Sequence, residues 1–259
     1  MDTKFIANST RMGSYTAIGG AVTMIVGAIL WGTSGADLWV ALDSGDVAGY
    51  LAAAGAVQAQ LIANLTLWMV GVLILGMAGV ALANLCVQRP LLAQMALVCI
   101  RTGVPLVLVA YIAMLALVVQ IAPDTSATSV AIAQVVGWIG VRADDLATAL
   151  MIGAAPLFLS LAGRDEWAPV WLVRWGYLAG VIGLLSLVVL YIPPLRGLGF
   201  IIIPVGVAWM IAAGIVLLRR SGADQKDEGV KAVTPEVIVG TLSQRGGSDR
   251  GRRGAEPSR

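Results

Sequence analysis

Arg142, Asp144 and Asp145 stand together in GVRADDLATALMIGAAPLFLSLAGRDEW, residues 140–167, with long apolar runs on both sides. Ionisable side chains inside membrane-compatible sequence are costly and mark functional sites by default, so these three are the first candidates for chemistry. On a helix Arg142 and Asp145 are three residues apart and can pair, whereas Asp144 and Asp145 point about 100° apart. One carboxylate is left over, free to face a cation or a substrate. An acid pair doing general acid–base work has to converge on one substrate, which neighbouring helical positions do poorly. No catalytic residue is assigned, and a non-enzymatic role is expected.

A second charged group lies further along. Asp165 and Glu166 in GRDEW, together with Arg101 and Arg174, are expected to form an inner ionic belt that fixes helix packing. Trp171 and Trp175 flank Arg174 and offer indole faces for its guanidinium. The alternative use of these cations is to hold anionic lipid headgroups.

Little other chemistry is available. The chain has no histidine, which removes ordinary haem ligation and the commonest proton relay. Cys86 and Cys99 lack a third sulfur or any imidazole to complete a zinc site, so they are expected to be packing residues. No phosphate-binding loop, nucleophile elbow or C-x-x-C is present. No cofactor or metal is expected.

These residues have to be positioned by membrane helices. The apolar fraction is 58% and the charged fraction 12%, against roughly 45–50% and about 25% in soluble domains. Runs of about 20 apolar residues match a hydrocarbon core of roughly 30 Å. Six are present, at 14–36, 61–85, 95–121, a fourth ending at 162, 171–191 and 198–218. Lipid demands that backbone groups be satisfied within each segment, so the fold class is all-α, a six-helix polytopic bundle. Lys4, Arg11, Arg89, Arg164, Arg219 and Arg220 fall on one side, while Asp37, Asp43, Asp46 and Asp124 fall on the other. By the positive-inside rule both termini are cytoplasmic in a multi-pass bacterial inner membrane protein.

Two outer loops are too long to be turns. In the first, Asp43 or Ser44 is expected to cap a surface helix carrying Val47, Tyr50, Leu51, Ala54 and Val57 on one face. The second runs from 123 into the fourth span and is too long for one crossing, yet short for two. Dividing it makes 126–141 a separate interfacial or re-entrant helix and puts Arg142, Asp144 and Asp145 at the outer start of the fourth span. Carboxylates there gain from the helix dipole.

Pro105, Pro156 and Pro204 are expected to kink the third, fourth and sixth spans. Gly176 and Gly180 form a GxxxG suited to close helix packing, with no indication whether the partner lies in the same chain. The domain plan is a cytoplasmic arm at 1–13, the bundle at 14–220 and a disordered cytoplasmic tail at 221–259, in which VTPEVIVG (233–240) is a candidate partner-binding segment.

The opening TRMGSYTAIGGAVTMIVGAIL, the long helical loop before the second span and the late RDEWAPVWLVRWGYLAGVIGLL together resemble a family of uncharacterised bacterial six-helix integral membrane proteins, a family of unknown function. The resemblance covers roughly 11–220 and implies the topology, with no site residue to carry over. The expected function is a membrane-embedded assembly, accessory or sensing component. Its partners would be the lipid bilayer and another membrane protein or a second copy, with no nucleic acid. The alternative is a small-solute or cation transporter with an acidic outer vestibule.

Overall fold

The computed structural model describes residues 3–189, 191–192 and 195–233. The chain divides into a compact unit, Met1–Ala223, and a second unit, Asp224–Arg259. Among the described residues the first unit contains helices and no strand, and six helices are long and apolar enough to cross a membrane. They follow from α1 (Thr3–Ser34), α4 (Gln58–Asn84), α5 (Pro90–Ala116), α6 with α7 (Ala127–Thr148 and Ala155–Gly163), α8 (Val170–Val189) and α10 (Ile202–Val233). Two short helices, α2 (Leu38–Ser44) and α3 (Val47–Ala56), fill the first long loop, and α9 (Arg196–Gly199) precedes α10.

The bundle is held by small residues at helix crossings, as expected where lipid supplies no hydrophobic drive between helices. Gly20 and Gly27 of α1 lie on Leu75 and Trp68 of α4, and Gly71 of α4 lies on Met24 in return. Asn64 adds a buried polar link by donating from Nδ2 to the Gly27 carbonyl at 2.8 Å. Gly176 and Gly180 find their partner within the chain. A side chain on Gly176 would strike Ser160, and one on Gly180 would strike Leu157 of α7. Gly183 faces Gly153 so closely that a Cβ on either would come within 2.8 Å of the other's Cα.

The first loop differs from expectation in its caps. Asp37 caps α2, accepting from the Val40 amide at 3.1 Å, and Asp46 caps α3, accepting from the Gly49 amide at 2.9 Å. Gly45, at φ +80°, separates two helices where one was expected. The apolar face of α3 is as its spacing implies: Val47, Tyr50, Leu51 and Ala54 are all buried.

The larger difference lies in the fourth span. Residues 126–141 are not a separate helix; α6 passes through Arg142, Asp144 and Asp145 without a break. A π-helical segment, Ala149–Ala154, then leads into α7, giving 37 continuous helical residues from Ala127 to Gly163. At 1.5 Å per residue this is roughly 55 Å, well beyond a hydrocarbon core. No proline lies in 140–146 and Gly140 keeps helical geometry, so nothing there stops the helix, and α2 and α3 pack against its N-terminal part. Pro156 follows the π-helical segment directly, inside the continuous helix, and Pro204 sits in the first turn of α10, a position where a missing amide costs little. Pro105 lies in the interior of α5.

α10 continues to Val233, so the tail expected from 221 begins as helix. Its Ala, Gln, Lys and Glu are compatible with that, and the first proline beyond it is Pro235. The rest of the tail, including nearly all of VTPEVIVG, lies outside the described residues.

Candidate functional site

Arg142, Asp144 and Asp145 sit on the sixteenth to nineteenth residues of α6, where three elements converge on it. α2 supplies Trp39, α5 supplies Tyr111, and the segment after α8 supplies Tyr191. Asp144 and Asp145 are 9% and 8% exposed, so neither carboxylate stands at a solvated helix start.

Arg142 donates from Nη1 to Asp145 Oδ2 at 2.9 Å, the three-residue pairing that the spacing allows. Its guanidinium also lies 5.8 Å from the Trp138 ring centre and 5.2 Å from that of Tyr191, within cation–π reach of both. Asp145 Oδ1 accepts a long hydrogen bond from Trp39 Nε1 at 3.5 Å. Asp144 is less well provided for. The Tyr111 hydroxyl lies beside it, but its Oδ1 is buried and accepts no hydrogen bond among the described residues. A buried carboxylate oxygen of this kind forfeits solvation that nothing returns.

Aromatic rings enclose the cluster. Trp39 meets Trp31 edge-on at 5.8 Å and Phe200 at 6.4 Å, while Trp68 packs on Tyr111 at 5.4 Å and on Trp31 at 6.1 Å. A cavity of about 20 Å³ lies among Trp31, Trp39, Tyr50, Asn64, Trp68 and Met114. That is room for about one water. Near it, burial pushes the Tyr50 hydroxyl up to about 12, helped by the charge of Asp37, and burial also raises Asp37 itself. With two carboxylates, the cluster is one ligand short of a three-residue metal set, and among the described residues no group of three or more Cys, Asp or Glu converges.

The other charged group assembles around a different cation. Asp165 pairs with Arg89, whose Nη1 also donates to the Leu161 carbonyl at 3.1 Å. Glu166 accepts from the backbone amides of Val87, at 2.9 Å, and Gln88, and its own carbonyl accepts from Arg220. The α4–α5 turn is thus tied to the α7–α8 turn. Trp167 completes the tie by donating to Cys86 Sγ at 3.3 Å and meeting Trp209 edge-on at 6.4 Å. Burial raises the Cys86 thiol to about 11 and keeps it protonated. Arg101 and Arg174, expected in this belt, are exposed and form no ion pair among the described residues. Arg101 is eleven residues beyond Pro90, roughly 17 Å along α5, while Arg89 sits at the turn itself.

Sequence reasoning missed Tyr111, Trp39 and Arg89. The first two depend on which helices neighbour α6, which nothing local encodes. Arg89 carried a signal, because it falls on the same side as Arg164 and next to the proline that starts α5.

Comparison of this chain with protein-family models, with curated proteins and with solved structures finds no match.

Proposed function

We propose that this chain is a non-enzymatic membrane component that works by assembly or sensing, in a bacterial plasma membrane with both termini in the cytoplasm. The observation that carries this reading is the closure of the charged cluster. Both carboxylates are buried, one is engaged by Arg142, and neither lines the cavity of about 20 Å³ beyond Trp39, which holds about one water. A turnover site needs room for a substrate beside its acids, usually several hundred Å³. The basic residues gathered at the turns that join α4 to α5 and α7 to α8 support the orientation.

Because Gly176 and Gly180 are used within the chain, any partner has to meet other surfaces, such as the exposed apolar face of α8. Crosslinking in native membranes followed by purification in mild detergent tests the reading. A second membrane protein or a second copy at fixed stoichiometry is expected; a lone monomer overturns it.

One observation favours cation transport as a second reading. The orphaned Asp144 oxygen lies one turn before a π-helical segment, a feature often found at functional sites. Vesicles containing the chain would then carry a cation flux that Asp144→Asn abolishes. Equal flux in the variant and the parent removes this reading.

A further inference from the structure

We propose that a groove on the membrane-facing side of α1, α4 and α5 binds one anionic phospholipid, with its headgroup on Arg101 and an acyl chain along the groove. The groove has a volume of about 620 Å³, within the range of ligand sites, and shares no lining residue with the Arg142 cluster. Its walls are apolar, with Leu73, Met77 and Val80 of α4 among the exposed side chains. Arg101, Asn84 and Ser9 are its polar members, and no acidic residue lines it.

The depth of Arg101 follows from packing. Gly79 is in contact with Ile100 and Gly76 with Val104, so Arg101 is level with the stretch of α4 around residues 76–80. From there to the end of α4 at Asn84 is a turn or two, roughly 6–12 Å. Side chains lean toward the N-terminus of their helix, and a long arginine extends to the interface. The guanidinium is thereby directed at the headgroup level of the basic end. From Asn84 to Leu73 the groove follows α4 for about 16 Å, close to half of a 30 Å core and therefore one leaflet.

Charge selects the occupant. Arg101 is an exposed cation with no ion-pair partner among the described residues, set in a groove without an acid. Basic pockets between membrane helices hold anionic headgroups, and a lipid satisfies the cation and covers the apolar walls together. A free phosphate would leave those walls to be covered by something else. The inference is independent of the assembly reading, since any lipid-embedded role leaves this groove facing the bilayer.

The test uses the full chain in nanodiscs of phosphatidylglycerol and phosphatidylcholine, transferred to mild detergent, with retained lipid counted by native mass spectrometry. The parent is expected to keep one phosphatidylglycerol with at least fivefold preference. Arg101→Gln is expected to lose that preference, while Arg174→Gln, an exposed arginine on α8 at the same end, keeps it. Val80→Trp, which fills the groove and leaves the charge, is expected to lower retention of either lipid, and it decides the matter should Arg101→Gln fail to fold. Preference surviving Arg101→Gln, or lost equally in Arg174→Gln, overturns the site. Displacement of the lipid by inorganic phosphate alone also overturns it, because the headgroup would then be the whole ligand.

Discussion

The two charged regions of this molecule handle the same residue types in opposite ways. Around α6, Arg142 and two aspartates are enclosed by tryptophan and tyrosine rings, with side-chain exposures of 12% for Arg142 and 9% for Asp145. At the turns joining α4 to α5 and α7 to α8, Arg89 and Asp165 pair with exposures of 34% and 48%. Buried ions interact strongly but lose their hydration, so removing one partner exposes the whole cost of the other. Exposed ions are screened by water and contribute little. The enclosed cluster is therefore brittle and the open one tolerant, although each contains one clear ion pair. Charge placed in the packed interior commits the helices around it to a single arrangement, whereas charge at a turn only guides which loops meet.

Arg142→Ala is the largest test of that contrast. It leaves Asp144 and Asp145 buried beside each other with no cation of their own, and a loss of about 3–5 kcal/mol is expected. Thermal unfolding in detergent reads it as a large fall in melting temperature; a fall no bigger than that of the exposed pair would mean water already reaches the cluster. Next in size is Gly183→Ala, where the new Cβ would lie 2.8 Å from the Gly153 Cα. Backbone cannot rotate away as a side chain can, so about 1–3 kcal/mol is expected from overpacking. If α8 instead moves outward freely, the Gly153–Gly183 crossing is loosely packed and the loss is small. Arg89→Ala should cost less than about 1 kcal/mol by the same assay, and raising the salt concentration should erase most of that difference.

How much of this was legible in the sequence depends on the range of the interactions involved. Six spans and an all-helical bundle follow from apolar run length alone, because the bilayer acts on each segment separately. The Arg142–Asp145 pair was legible for the same reason, being set by helical spacing. The burial of that pair was not, since it depends on α2, α5 and the segment after α8 meeting around it. Length arithmetic assumed that α6 had to break at the membrane surface. The chain instead continues as helix beneath α2 and α3, and nothing in VGWIGVRADDL forbids that. Arg101 was assigned to the ionic belt on proximity in sequence to the inner end, where a residue-by-residue register against α4 was needed. The caps show the finest limit: the spacing put the cap on Asp43 or Ser44, whereas Gly45 takes a left-handed conformation that splits the segment and leaves Asp37 and Asp46 as the caps.

The smallest effect belongs to Asp124, which closes the turn before α6. Its Oδ2 accepts from the Ser129 hydroxyl at 2.6 Å and from the Ser126 hydroxyl at 3.0 Å, and its Oδ1 from the Ser126 amide at 2.9 Å. The Ser129 bond, then the two from Ser126, hold the carboxyl below the ordinary aspartate value of 3.8. A group lowered on folding binds its proton more weakly in the folded state, so its contribution is complete above the unfolded value and is lost as pH falls through the folded one. Asp124→Asn keeps an acceptor oxygen and cannot titrate. The parent should therefore melt slightly above the variant at neutral pH, and the gap should close as the pH is taken below 3.8. Because Asp124 is fully exposed, the gap should also be small, and it marks the opposite extreme from Arg142: three hydrogen bonds in water set against one ion pair out of it. A gap that widens on acidification would mean that the protonated carboxyl grips α6 better than the charged one, with Asp124 acting as a donor.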